Sequence, residues 1–109
     1  MPLLARYDLT AVRGAWPRES LADRDPTMWR YREVMPLFDG EAPVTLGEGW
    51  TPLMRAPRLG RALGLERLFI KDESLNPTNS FKARGLAAAV TRAAHLGPTT
   101  LSIPTAANA

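Results

Sequence analysis

Residues 68–103 determine the fold class that we predict for this chain of 109 residues. Residues 68–70, Leu-Phe-Ile, form a compact apolar run typical of a buried strand. A polar loop follows, and then a helix is predicted over Phe81–Leu96, rich in Ala and Leu and ended by Gly97. A second buried strand is predicted over Thr99–Ile103. This order predicts an α/β fold with a right-handed βαβ crossover in a mainly parallel sheet.

Two regions differ in texture along the sequence. Residues 1–43 are interrupted by Pro17, Pro26, Pro36 and Pro43 and contain only short helix-compatible pieces, so they are predicted to be an irregular, partly helical N-terminal arm. Its aromatic residues Trp16, Trp29 and Tyr31 are expected to pack the arm onto a larger body. Residues 44–109 are predicted to be an incomplete α/β region, since a parallel sheet needs several strands and cover on both faces. We therefore expect the chain to be part of a larger α/β domain.

Composition narrows the function classes. The chain has no Cys and one His, so neither a disulfide framework nor a metal site is expected. Its 14 basic and 11 acidic residues alternate in sign and leave a net charge of +3, which does not favour nucleic acid as a partner. No apolar run approaches the roughly 20 residues of a membrane span, so we expect no membrane partner and a cytoplasmic location.

Lysine is scarce, and its placement is informative. Twelve of the 14 basic residues are Arg, so that Lys71 and Lys82 are the only lysines. Lys82 lies at the start of the predicted long helix. A lysine that forms a Schiff base must be partly desolvated and held on a rigid element, and Lys82 meets these conditions at the level of sequence. The alternative is an ordinary lysine at a helix start, solvated or extended over apolar surface.

The segment Lys71–Gly85 resembles the lysine segment of the tryptophan synthase β-like enzymes, the fold type II enzymes that depend on pyridoxal phosphate (PLP). Residues 80–82, Ser-Phe-Lys, followed by Arg-Gly at 84–85, are the nucleus of this similarity. Within the family, residues 75–78, Leu-Asn-Pro-Thr, are most similar to the threonine synthases. So are residues 47–53, Gly-Glu-Gly-Trp-Thr-Pro-Leu.

This resemblance implies a partial fold type II PLP-enzyme fold and assigns roles to individual residues. Lys82 would be the catalytic residue and would bind the cofactor as a Schiff base. Residues 105–109, Thr-Ala-Ala-Asn-Ala, are similar to the family's Ser/Thr-x-Gly-Asn loop, so that Asn108 would contact the PLP ring. Thr105 and Ser80 would bind the substrate. The alternative for Thr105 and Asn108 is that they cap a following helix.

The resemblance also implies a reaction and partners. The parent enzyme would convert O-phospho-L-homoserine and water to L-threonine and phosphate, would take a small amino-acid substrate, and would form a homodimer. Two alternatives stay open, namely a threonine or serine dehydratase-like PLP lyase and a catalytically inactive truncated fragment. The family's Gly-rich phosphate loop is expected downstream of Ala109.

Three positions depart from the family pattern. Ala107 stands where the family usually has Gly, which adds a methyl group to a tight loop. Asn79 replaces the Gly that usually precedes Ser-Phe-Lys, a mild change because Asn tolerates a left-handed backbone. Ala83 replaces an Asp that is common in threonine synthases and moves the segment towards the dehydratase pattern.

Overall fold

Short helices account for most of the regular structure in residues 4–104, the part of the chain that the computed structural model describes. The α-helices are α1 (Leu9–Ala15), α2 (Pro57–Leu63) and α3 (Lys82–Leu96). The strands are β1 (Leu53–Arg55) and β2 (Phe69–Lys71), and 3-10 helices cover Arg18–Leu21, Met28–Val34 and Glu73–Leu75. None of the helices in the described part is both long and apolar enough to cross a bilayer.

The long helix α3 follows its prediction to within one residue. It spans Lys82–Leu96, and the chain leaves it through Gly97 at a φ of 98°, a conformation that glycine adopts without strain. One side of the helix carries Ala83, Leu86 and Val90, which line an apolar groove of about 340 Å³ together with Val44 and other residues of the preceding segment. This side of α3 is therefore its apolar side and faces the segment that contains Val44.

The predicted parallel βαβ unit is not present within residues 4–104. Instead β1 and β2 form a two-stranded antiparallel sheet, with Leu53 opposite Lys71 and Arg55 opposite Phe69, and all six strand residues are exposed. The strand predicted over Thr99–Ile103 is irregular in the structure. A strand is stabilised by hydrogen bonds to a neighbouring strand. Within the described residues β2 pairs with β1, and no neighbouring strand pairs with residues 99–103.

Helix α2 makes this antiparallel pairing possible. It spans Pro57–Leu63, with proline in its first turn and Gly64 at its C-cap in the left-handed region, at a φ of 69°. The seven-residue helix returns the chain to the start of β2, where the Ala56 N–H donates to the Leu68 carbonyl at 3.0 Å.

Of the three aromatic residues expected to pack the N-terminal arm onto a larger body, Trp29 donates to Glu48 beyond the arm, whereas Trp16 and Tyr31 contact each other within it. Trp29 is buried, and the Trp16 and Tyr31 rings lie 5.6 Å apart. Arg24 donates two hydrogen bonds to the Glu33 carboxylate, at 2.7 and 2.8 Å, and holds the arm's turns together.

The C-terminal half of α3 binds the segment that leads out of the arm. Thr91 is fully buried, and its hydroxyl both accepts from the Val44 N–H at 2.9 Å and donates to the Val44 carbonyl at 3.2 Å. Arg92 forms an ion pair with Glu41 at 3.1 Å, and a His95 ring nitrogen lies 2.9 Å from the Ala42 carbonyl oxygen. Residues 41–44 are therefore fixed along one side of the helix.

Candidate functional site

Lys82 is the first residue of α3 and is half-buried. Its backbone N–H donates to the Ser80 hydroxyl at 3.2 Å, and Ser80 itself is buried. Asn79, just before, has a φ of 52°, the left-handed conformation that asparagine tolerates better than most residues. The loop thus turns sharply into the helix and places the lysine on its rigid first turn.

Two residues after Lys82, Arg84 forms an ion pair with Glu73. Arg84 Nε lies 2.6 Å from Glu73 Oε2, and Arg84 Nη2 lies 2.8 Å from Oε1, so the guanidinium donates a hydrogen bond to each carboxylate oxygen. The two side chains are about one-third and one-quarter exposed. A bidentate pair of this kind fixes orientation as well as distance.

The Glu73 carboxylate also gathers the other polar groups around it. The Thr51 hydroxyl donates to Oε1, and the Asn76 amide donates to Oε2 at 3.0 Å. Asn76 is buried, and its side-chain oxygen accepts from the Gly49 N–H at 3.1 Å. We call Thr51, Glu73, Asn76 and Arg84 the Glu73 network. It joins residues 49–51 to residues 73–76 and to the first turn of α3.

The network sets the charge state of its central carboxyl. Hydrogen bonds from the Arg84 guanidinium and then from Thr51 lower the pKa of Glu73 from 4.5 to about 2. Since the folded-state pKa lies below the ordinary value, the stabilisation is present above pH 4.5 and is lost as the pH falls towards 2.

Glu73→Gln should therefore make the protein less sensitive to acid. The wild type is expected to lose about 1–2 kcal/mol more unfolding free energy than Glu73→Gln between pH 6 and pH 3, after allowance for solvent screening of a partly exposed pair. Urea unfolding at both pH values measures this difference. Glu66→Gln, at an exposed carboxyl between α2 and β2, is the matched control and should follow the wild type. Equal losses in all three proteins would contradict the expectation.

A second carboxylate, that of the buried Glu48, joins the arm to the same region. Its side chain accepts from Trp29 Nε1 at 2.8 Å, from the Thr45 hydroxyl at 2.9 Å and from the Leu46 N–H at 2.9 Å. Burial by itself raises the pKa of Glu48, but the hydrogen bonds that it accepts hold the pKa below its usual value. The Glu48 carbonyl also accepts from the Met28 N–H at 2.9 Å, which seats the start of a 3-10 helix on this turn.

Gly49 and Trp50 follow this turn with unusual backbones. Gly49 has a φ of 117° and lies so close to the chain at Met28 that a Cβ atom there would be 2.5 Å from the Met28 nitrogen. Trp50 has a φ of 51°, which is uncommon for a bulky residue, and its exposed ring stacks on the Arg30 guanidinium at 4.6 Å.

An open cleft of about 540 Å³ lies between the arm and the Glu73 network. Arg30, Trp50, Lys71 and Arg84 are among the residues that line it. Their charged groups are already engaged, since Lys71 Nζ donates to the Thr51 carbonyl and Arg84 is paired with Glu73. Lys82 is not among the residues that line this cleft.

Of the predicted site residues, the structure brings Ser80 and Lys82 together. Thr105 and Asn108 lie outside the described residues. The sequence analysis missed the Glu73 network. A signal was present, because all four of its residues fall inside the two segments that carry the resemblance.

Within the described part of the chain no cluster of three or more His, Asp or Glu residues is placed to hold a metal ion.

Comparison with known proteins gives one family and consistent relatives. The family model described as pyridoxal-phosphate dependent enzyme matches residues 44–109. The chain is 43% identical over 91 residues to the threonine synthase of Methanocaldococcus jannaschii, a match that covers 84% of this chain and 22% of that protein. It is 36% identical over 102 residues to the threonine synthase of Methanosarcina acetivorans, covering 94% of this chain and 24% of that protein.

A shorter match reaches higher identity. The chain is 52% identical over 63 residues to the threonine synthase of Mycobacterium leprae, covering 58% of this chain and 17% of that protein. No solved structure matches the chain significantly. The chain thus spans about a fifth to a quarter of the length of the first two curated relatives.

Proposed function

This chain belongs to the family of pyridoxal-phosphate dependent enzymes, and from that premise we propose that it provides the cofactor-attaching lysine, Lys82, of a threonine synthase. The reaction is the conversion of O-phospho-L-homoserine and water to L-threonine and phosphate. The observation that carries the proposal is a half-buried lysine on the first residue of a rigid helix, inside the segment that matches the family. The similarity to several threonine synthases supports this choice of reaction.

The chemical groups at the start of α3 are of a type that can bind an aldehyde cofactor. A primary amine condenses with an aldehyde carbon and releases water, and the amine of Lys82 belongs to a helix whose first turn is held by Ser80 and by the Arg84–Glu73 pair. When bound, PLP supplies the aldehyde for that bond and a ring that accepts electrons from the substrate. We assign Lys82 to cofactor attachment on this basis.

The chain's own residues would then bind the substrate and move protons. In this proposal Lys82 Nζ holds the cofactor at rest and carries protons to and from the substrate carbons once substrate has taken its place. The Ser80 hydroxyl accepts the Lys82 N–H and can at the same time donate its own hydrogen to a substrate oxygen. Asn108 is assigned to the cofactor ring and Thr105 to the substrate carboxylate.

The organisation of the parent protein is part of the same proposal. Residues 44–109 form part of the cofactor-binding region, and residues 1–43 are an arm that docks on it through Trp29 and Glu48. We further propose a homodimeric parent enzyme located in the cytoplasm.

A dehydratase-like lyase is the second candidate. It is favoured by Ala83, which is buried beside Lys82 at a position where threonine synthases commonly have Asp. The two reactions differ in their products, because the synthase releases phosphate and threonine, whereas a dehydratase releases ammonia and a 2-oxo acid.

The test is a product assay on the full-length protein that contains these residues. We expect O-phospho-L-homoserine to give threonine and inorganic phosphate in equal amounts, and homoserine, the control without a phosphate leaving group, to give no threonine. Threonine should not be converted to 2-oxobutyrate at a comparable rate. Release of 2-oxobutyrate from threonine without phosphate release from O-phospho-L-homoserine would instead identify the dehydratase.

A further inference from the structure

Polar contacts hold one stripe of helix α3 to two other segments, residues 41–44 and the segment that contains Glu73. Arg84, Thr91 and His95 are spaced i, i+7 and i+11, so they lie within about 40° of each other around the helix axis. Arg84 binds Glu73, Thr91 binds the Val44 backbone, and His95 contacts the Ala42 carbonyl. We call these three residues the tether stripe of α3.

Lys82 lies on the other side of the helix. At about 100° per residue, it is separated from Arg84 by about 200°. A second side of α3, formed by Ala83, Leu86 and Val90, faces the apolar groove. The tether stripe and the apolar side together define how α3 is rotated about its axis, and this rotation determines the direction in which the Lys82 side chain leaves the helix.

We propose that Arg84 is a positioning residue for Lys82, and that its bidentate contact with Glu73 fixes the rotation of the first turn of α3. This inference rests on the proposed attachment of PLP to Lys82. With side chains the helix has a radius of about 5–6 Å, so a rotation of about 15° would move Lys82 Nζ by at least about 1.4 Å. A misplacement of about 1 Å at a reacting group can lower a rate by about 100-fold.

Arg84 differs from Arg92, which forms the other ion pair of the helix, in its distance from Lys82. Arg84 is two residues from Lys82, whereas Arg92, which pairs with Glu41, is ten residues away. The two arginine side chains are similarly exposed, at 31% and 27%. Removing either one deletes one ion pair from the same helix, so Arg92 serves as the control that lies far from the lysine.

The experiment compares Arg84→Ala with Arg92→Ala in the full-length protein. Each protein is incubated with PLP, reduced with borohydride and digested, and the rate at which the Lys82 peptide becomes labelled is measured by mass spectrometry. Circular dichroism in the cofactor absorption band reports how the bound cofactor is oriented. Both readouts are taken well below the unfolding temperature of each variant, so that the folded fraction is the same.

We expect Arg84→Ala to label Lys82 about 10-fold or more slowly than the wild type and to lose most of the cofactor circular dichroism, while Arg92→Ala stays within about twofold. Arg84→Lys keeps the charge but not the two-pronged contact, and should give an intermediate rate. Equal labelling rates in Arg84→Ala and Arg92→Ala would overturn the positioning role. If Arg84→Ala does not fold, Arg84→Lys decides alone, since labelling as fast as in Arg92→Ala would overturn the role.

The outcome for the wild type separates this inference from the proposed function. Labelling of Lys82 in the wild type, with no specific defect in the Arg84 variants, refutes positioning and leaves the attachment of PLP intact. A folded wild-type protein that is not labelled at Lys82 refutes the attachment, and positioning is refuted with it.

Discussion

Lys82→Ala is expected to abolish covalent cofactor attachment and to lower the turnover of O-phospho-L-homoserine by at least about 10²–10⁴-fold, the range that loss of a positioned proton-transfer group produces. The methyl side chain of alanine can neither bond to the aldehyde nor carry a proton. The contact with Ser80 is kept in this variant, because the backbone N–H of residue 82, and not its amine, makes it. The measurements are the visible absorbance of bound cofactor and the rate of phosphate release.

Lys71→Ala is the matched control, since Lys71 is the other lysine of this chain. Its amine donates to the Thr51 carbonyl at the edge of the Glu73 network. Removal of this bond should affect stability more than chemistry, with cofactor still bound and turnover within about tenfold of the wild type. If Lys71→Ala loses the cofactor absorbance and Lys82→Ala keeps it, the assignment of Lys82 is wrong.

Gly49→Ala should destabilise the fold by more than about 3 kcal/mol, because two costs add. Alanine at a φ of 117° is strained, and its Cβ would lie 2.5 Å from the Met28 nitrogen and 2.9 Å from the Thr27 carbonyl carbon. Both neighbours are backbone atoms, which cannot turn aside as a flexible side chain would. The free energy of unfolding in urea measures the effect.

Alanine substitutions at two other glycines distinguish the cost of the strained backbone from the cost of the close contact. Gly47 also has a positive φ, 86°, but a Cβ there meets nothing within 4 Å, so Gly47→Ala should cost only about 1 kcal/mol. Gly85 lies inside α3 with open space around it, so Gly85→Ala should stabilise by about 0.5–1 kcal/mol. A loss in Gly49→Ala no larger than that in Gly47→Ala would show that the close approach to Met28 is relieved at little cost.

The helices could be predicted from the sequence because their signals are local. Asp8 caps α1, and Gly64 and Gly97 end α2 and α3, so each boundary depends on residues within one turn. The sheet could not be predicted in the same way. Whether β2 pairs in parallel or antiparallel depends on which strand lies beside it. Here the neighbour is β1, which is close in sequence because only the short α2 connects the two strands, and the pairing is antiparallel.

The candidate site likewise has one part that local sequence signals predict and one part that they do not. The place of Lys82 at a helix start follows from local spacing and was predicted. The pairing of Glu73 with Arg84, and the approach of Thr51 from 33 residues before Arg84, are tertiary contacts that no local pattern encodes. The roles of Thr105 and Asn108 remain predictions, since both residues lie outside the described part of the chain.

The Glu73 network also bears on how such a site can be transplanted. Residues 71–85 carry the lysine, the carboxylate and the guanidinium, but the hydroxyl of Thr51 and the N–H of Gly49 come from a separate segment. Grafting residues 71–85 alone into another scaffold would leave Glu73 and the buried Asn76 without two of their partners. A chimera that moves residues 47–53 together with residues 71–85 keeps the donors with the acceptors, and these two segments are therefore the smallest unit in which to exchange this lysine between enzymes.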